Sequence, residues 1–268
     1  MSTTVITITS GKGGVGKTTI TANLASALAM QNKKVVAIDA DIGLRNLDVV
    51  MGLENRIVYD LVDVIEGRCR LRQAMIKDKR QAELYLIPAA QTRDKTAVSP
   101  SDMMLVCNQL RDEGMDYIII DSPAGIERGF KNAITPADRV IVVTNPEVSA
   151  VRDADRIIGM IEAEEKGPAK LIINRIKPAM VDRGEMLSVD DVIDILAVDI
   201  IGIIPEDESI LIGSNRGTPV AMSSVNGQSA SQAFKNIAQR VEGHNIPFID
   251  LTAKTSLLDR VSGFFSRS

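Results

Sequence analysis

The stretch "TSGKGGVGKTTITANLASALA", residues 9–29, places Gly11, Gly16, Lys17 and Thr18 in the pattern G-x-x-x-x-G-K-[ST]. A β-rich run, "TTVITI", precedes it and a helical pattern follows. In that setting a loop running through Gly11, Gly13, Gly14, Val15, Gly16 and Thr19 aims its backbone N–H groups at phosphate oxygens. The helix N-terminus behind it adds a positive dipole. Lys17 would reach the β- and γ-phosphates, and the Thr18 hydroxyl would ligate Mg²⁺. The same stretch also matches G-x-G-x-x-G through Gly11, Gly13 and Gly16, and Asp39 ends the second strand as a dinucleotide fold would want. That alternative leaves "KTT" without a purpose and has no use for a second lysine, Lys12, inside the loop.

A phosphate loop of this kind needs a carboxylate at the end of a neighbouring strand. "YIIIDSPAG" supplies Asp121 after an apolar run, in the position of a metal-holding aspartate. "AIDADIGLRNLD" supplies Asp39 and Asp41 just past the second strand. Asp41 would orient an attacking water and Asp39 would support the metal. Taken singly, each also fits an ordinary strand-end or loop aspartate.

These residues need elements to hold them. Apolar, β-branched runs at Thr4–Thr9, Val35–Asp39, Leu84–Pro88, Tyr117–Asp121, Val140–Thr144, Leu171–Asn174 and Ile200–Ile204 read as strands. They lack polar alternation, which predicts strands covered on both faces. Helical patterns fall between them at Lys17–Met30, Ser101–Glu113, Ser149–Glu165, Ser188–Leu196 and Ser231–Val241. Strand–helix alternation predicts a doubly wound α/β domain with a mostly parallel sheet. The 268 residues, 45% hydrophobic, suit one large domain over residues 1–242, followed by a linker over 243–253.

The formal charge of -4 disfavours bulk electrostatic binding to nucleic acid. Cys69 and Cys107 form no C-x-x-C pair and support neither a zinc nor an iron–sulfur site. The N-terminus has no signal-peptide pattern, and no apolar run is long enough to span a membrane. The last stretch, 254–268, differs from the rest. Leu257, Leu258, Val261, Phe264 and Phe265 form one apolar stripe at helical spacing, with Lys254, Arg260 and Arg267 around it. By pattern alone this is either an interfacial helix or a helix docked on its own domain.

"GKGGVGKTT", "DADIGLRNLDVVMGLENRIVYDLVDVIEG", "DSPAGIE" and "NPEVSAVRDADRIIG" together resemble the deviant Walker A (ParA/MinD) family of P-loop ATPases, and most closely its members that place the bacterial division septum. The resemblance covers nearly the whole chain. It implies slow, stimulated hydrolysis of ATP with Mg²⁺, and an ATP-dependent homodimer in which Lys12 crosses to the partner's nucleotide. It implies a division inhibitor of the MinC type and a regulator of the MinE type as partners, on a face including Ser149, Arg152 and Asp153. It implies adenine contact by Asn174 and by Pro205 to Asp207. It also favours the interfacial reading of the tail, with the protein cytoplasmic and peripheral on an anionic membrane surface when ATP is bound. Flagellum-placing and DNA-partitioning ATPases share the loop. The strand that starts almost at Met1 and the acidic balance fit them less well. An iron–sulfur protein of this fold would need converging cysteines, and a metabolic kinase an acceptor-substrate motif; neither is found.

Overall fold

The computed structural model describes residues 3–126, 128–223, 229–249 and 251. The membrane-binding stripe read from the sequence (Leu257, Leu258, Val261, Phe264 and Phe265) lies outside them.

The strands are β1 (Thr4–Thr9), β2 (Val35–Asp39), β3 (Ile76–Lys77), β4 (Leu84–Ile87), β5 (Tyr117–Asp121), β6 (Arg139–Thr144), β7 (Lys170–Ile176) and β8 (Ile200–Pro205). Among the described residues they form one sheet in the order β3-β4-β2-β5-β1-β6-β7-β8. Every pairing is parallel except β3 with β4. The central strands are buried almost throughout, because residues of either parity meet a helical layer. Each fully buried Ile or Val in them contributes roughly 1.5–3 kcal/mol.

The helices are α1 (Lys17–Ala29), α2 (Leu47–Met51), α3 (Leu61–Ile65), α4 (Leu71–Ala74), α5 (Pro100–Asp112), α6 (Arg128–Ile134), α7 (Val148–Ala163), α8 (Pro178–Asp182), α9 (Val189–Leu196), α10 (Glu208–Asn215) and α11 (Ser229–Val241). One layer packs α1 and α11 against the sheet through Leu24, Leu28, Phe234 and Ile237. The opposite layer divides in two. Met103, Val106 and Leu110 of α5 cover β2 and β5, while Val151, Ile157 and Ile161 of α7 cover β6 and β7. Local chemistry sets the starts. Ser99 and Asp102 form a capping box with Pro100 in the first turn of α5, and Ser188 and Asp191 cap α9 in the same way.

The chain reverses direction across the sheet at β1. β2 lies beyond β5 on one side, and β6, β7 and β8 follow on the other. The crevice above the carboxyl ends of the strands at such a reversal is where doubly wound sheets bind ligands.

The segment read as a linker begins as a strap. The Arg240 guanidinium donates to the carbonyls of Ile201, Ile246 and Pro247, and stacks 4.1 Å from the Phe248 ring centroid. Leu251 packs against the α7 side of the core. The absence of any 3.6-residue period in "HNIPF" fits a segment held by these contacts rather than by a helix.

Candidate phosphate-binding site

The loop between β1 and α1 sits above the strand ends at that reversal. It is shaped by two close approaches. Gly11 touches α7: a Cβ there would lie 2.2 Å from the Asp153 carbonyl oxygen. Gly16 adopts φ +103°, and a Cβ there would lie 2.4 Å from the Asn174 amide nitrogen. Neither position has room for a side chain, so both require glycine. The Asn174 amide donates to the Val15 carbonyl at 2.7 Å, bracing the loop from beneath.

Lys17 is 8% exposed. Its ammonium donates to Ser10 Oγ at 3.1 Å, and the Ser10 hydroxyl in turn donates to the Lys12 carbonyl at 2.8 Å. Burial pulls the Lys17 ammonium below its ordinary range, against the attraction of Asp121 and Asp41. It is a largely desolvated cation at the start of α1, an arrangement that favours an anion.

Sheet register places the two strand-end carboxylates side by side, since Asp39 of β2 pairs with Asp121 of β5. Both are buried. Asp39 accepts backbone N–H bonds from Asp41, Asn46 and Leu47 at 3.0–3.1 Å. Asp121 accepts from Thr21 Oγ1 at 3.3 Å. Burial first, and then the neighbouring Asp39 carboxylate, push the Asp121 carboxyl up, while Thr18 and Lys17 oppose the rise. Burial also raises Asp39, against its three backbone donors. Two crowded carboxylates beside a Thr18 hydroxyl form a hard oxygen set. That set fits Mg²⁺, which takes one or two carboxylates and fills its shell with water and phosphate oxygens.

The loop opens on a cavity of about 670 Å³, a volume in the range of ligand pockets. Gly13, Gly14, Gly16, Lys17, Thr18, Thr19 and Asp41 line one end. Asn46, Val49 and Val50 of the α2 region line another part, with Arg175, Ser214 and Asn215. The structure thus brings together the loop, Asp41 and the buried pair Asp39 and Asp121. It does not bring Lys12 into the cavity. Lys12 Nζ turns toward α7, donating to Ser149 Oγ at 3.2 Å with Glu147 3.7 Å away. Ser149 and Arg152 are exposed on that helix start, and Asp153 is half-buried beside Gly11. Asn174 faces the loop, Pro205 ends β8, and Asp207 caps α10 through the Ser209 N–H at 2.9 Å.

The motifs do not reveal Ser10, Asn46, Val49, Arg175, Ser214 or Asn215. The signal available for Arg175 is indirect: it is a non-glycine residue at φ +59° where the β7–β8 register shifts.

Residues 6–220 match the family described as CobQ/CobB/MinD/ParA nucleotide binding domain. The chain is 54% identical over 261 residues to the septum site-determining protein MinD of Synechocystis sp., covering 96% of each protein. Among solved structures it is similar to the MinC:MinD cell division protein complex of Aquifex aeolicus. There the TM-score is 0.86 at 51% identity, over 92% of this chain and 99% of that one. It is also similar to the septum site-determining protein MinD of Pyrococcus horikoshii complexed with Mg-ADP. There the TM-score is 0.80 at 31% identity, over 90% and 96% of the two chains.

Proposed function

The chain belongs to the CobQ/CobB/MinD/ParA nucleotide-binding family, and within it to the septum site-determining MinD proteins; on that premise we propose that it is an ATP-dependent dimerising ATPase that positions the division septum from the membrane surface. One observation carries this reading. A desolvated lysine lines a nucleotide-sized cavity and two crowded carboxylates are buried at the strand ends behind its loop, while a second loop lysine points away along the surface.

Lys17 and the loop N–H groups from Gly11 to Thr19 hold the phosphates. Thr18 and Asp121 would hold Mg²⁺, with Asp39 behind them. Bound there, the metal neutralises charge on the β- and γ-phosphates. The likeness to a MinD complexed with Mg-ADP supports this assignment. Asp41, at the cavity wall, orients the attacking water. The family resemblance assigns adenine contact to Asn174, Pro205 and Asp207, none of which lines the cavity described above.

Lys12 completes the site of a second copy. It is exposed and beside the start of α7, where it can cross a two-fold interface. A cation delivered in trans stabilises transition-state charge, as an arginine finger does. Loss of the γ-phosphate then loosens the dimer. Ser149, Arg152 and Asp153 form part of the face that takes a MinC-type inhibitor and a MinE-type regulator. The likeness to a MinC:MinD complex supports the first of these.

Residues 254–268 supply membrane affinity through Leu257, Leu258, Val261, Phe264 and Phe265. One short segment binds weakly, and two on a dimer gain avidity of about 10²–10⁴. Among the described residues no helix is long and apolar enough to cross a membrane. The test is co-sedimentation with anionic vesicles in Mg-ATP, in Mg-ADP, and with residues 254–268 deleted. Pelleting that needs both ATP and the tail supports the switch. Pelleting that is equal with ADP removes the link between dimerisation and membrane binding.

A further inference from the structure

One wall of the cavity is held by a side chain outside it. Arg80 lies in the turn between β3 and β4, and its guanidinium reaches across to two helix ends. Nη1 donates to the Gly217 carbonyl at 2.7 Å and to Thr218 Oγ1 at 3.1 Å. Nη2 donates to the Met51 carbonyl at 2.6 Å. The Asp78 side chain is fully buried and grips the same fork, accepting from Nη2 at 2.6 Å and from Nε at 3.1 Å. Charge-assisted pairs of this geometry are stronger and more directional than neutral ones.

The carbonyls that Arg80 captures belong to the last turn of α2 and the turn after α10. At that seam two glycines meet backbone to backbone. A Cβ on Gly52 would lie 2.5 Å from the Gly217 oxygen, and a Cβ on Gly217 would lie 2.4 Å from Gly52 Cα. The two helices closed by the seam bring Val49, Val50, Ser214 and Asn215 to the cavity. α2 has five residues and α10 has eight. Helices this short do not hold their own position; tertiary contacts place them.

We infer that Arg80 is a positioning residue for nucleotide binding, which sets the spacing of α2 and α10 and with it the width of the cavity beyond the phosphate loop. The inference rests on the nucleotide-binding reading above. A planar fork with five donors can satisfy three acceptors and a carboxylate at once. An ammonium on a lysine stem cannot, so Arg80→Lys is not a conservative change.

The test uses the full chain, titrated calorimetrically with Mg-ADP and separately with magnesium tripolyphosphate, which occupies the loop but has no nucleoside. Arg80→Ala raises the Kd for Mg-ADP about tenfold and leaves that for tripolyphosphate within about twofold, while Arg80→Lys falls between wild type and Ala. Equal weakening of both ligands would mean general loosening and overturns the assignment, as does an Mg-ADP affinity within about twofold of wild type. If Arg80→Ala does not fold, Thr218→Val removes one of the three acceptors and is expected to give a smaller loss confined to Mg-ADP. No such loss in Thr218→Val or Arg80→Lys also overturns it. A wild-type chain that binds neither ligand refutes the nucleotide reading itself, and that failure is visible before any variant is made.

Discussion

At the phosphate end of the cavity, the groups that do chemistry follow one another along the chain. Ser10 to Thr19 supply the loop, and strand register brings Asp39 and Asp121 together behind it. At the other end, α2 and α10 come from distant parts of the sequence. They are joined by a guanidinium from a third region and by a glycine seam. The phosphate end stabilises charge by burying it among fixed dipoles. The other end stabilises shape by tying backbone to backbone. Chemistry can be encoded locally, but the room around it is set by long-range packing.

The largest effect that tests this contrast belongs to Lys12. It points away from the cavity, so its contribution should be confined to the assembled dimer. Lys12→Ala is expected to lower Mg-ATP turnover in the dimer by about 10³-fold, with Mg-ADP still bound by the isolated subunit. Single-turnover kinetics beside calorimetry measure the two. An equal loss in both would make Lys12 a second Lys17 and erase the distinction between them.

A smaller effect is expected within the loop. Gly16→Ala sets a Cβ against the Asn174 amide at a left-handed φ, whereas Gly14→Ala, at φ +78°, meets open space. Each costs about 1–3 kcal/mol of backbone strain, with Gly16→Ala at the upper end because it also disturbs the bond from Asn174 to Val15. Thermal unfolding of the two variants compares them directly. Equal melting temperatures would show that Asn174 yields without cost and does not brace the loop.

The smallest effect lies at the seam. Burial alone would raise the Asp78 carboxyl, but the Arg80 guanidinium, together with the backbone N–H groups of Arg80 and Gln81, outweighs it and holds the group below the usual carboxylate range. A carboxyl depressed in the folded state adds stability above its unfolded pKa, and that stability fades as pH falls through the folded value. Denaturant unfolding should therefore show stability lost below about pH 4. Asp78→Asn is expected to flatten that acid limb and to cost about 1–2 kcal/mol at neutral pH. An unchanged limb would mean that Arg80 holds the seam without help from Asp78.

The doubly wound sheet was readable in the sequence because a buried parallel strand announces itself. "YIIID" and "RVIVVT" have no polar face, and the structure buries them almost throughout. Long helices such as α5 and α7 were readable from their 3.6-residue period and their starts, to within a residue or two. α2, α3, α4, α6 and α8 were not, because four to seven residues give too few turns for a period to show, and α10 was missed although α9, of equal length, was read. The loop and its aspartates stood out because phosphate chemistry restricts residue types at fixed spacing. Val49, Ser214 and Asn215 obey no such restriction, and only the fold brings them to one cavity. Arg80 was less legible still. The groups it ties together across the seam include two backbone carbonyls, which exist at every position and leave no mark on residue identity.

Gly11 belongs to the loop motif, where glycines are ordinarily explained by the approach of a phosphate. Here the carbonyl of Asp153 already fills the space a side chain would need. The two backbones are in hard contact, with no soft side chain between them to absorb a displacement. On the reading proposed above, a protein that grips the exposed start of α7 would press on the phosphate loop through this contact. Pressing or withdrawing that helix by a fraction of an ångström would then shift the loop proposed to hold the phosphates.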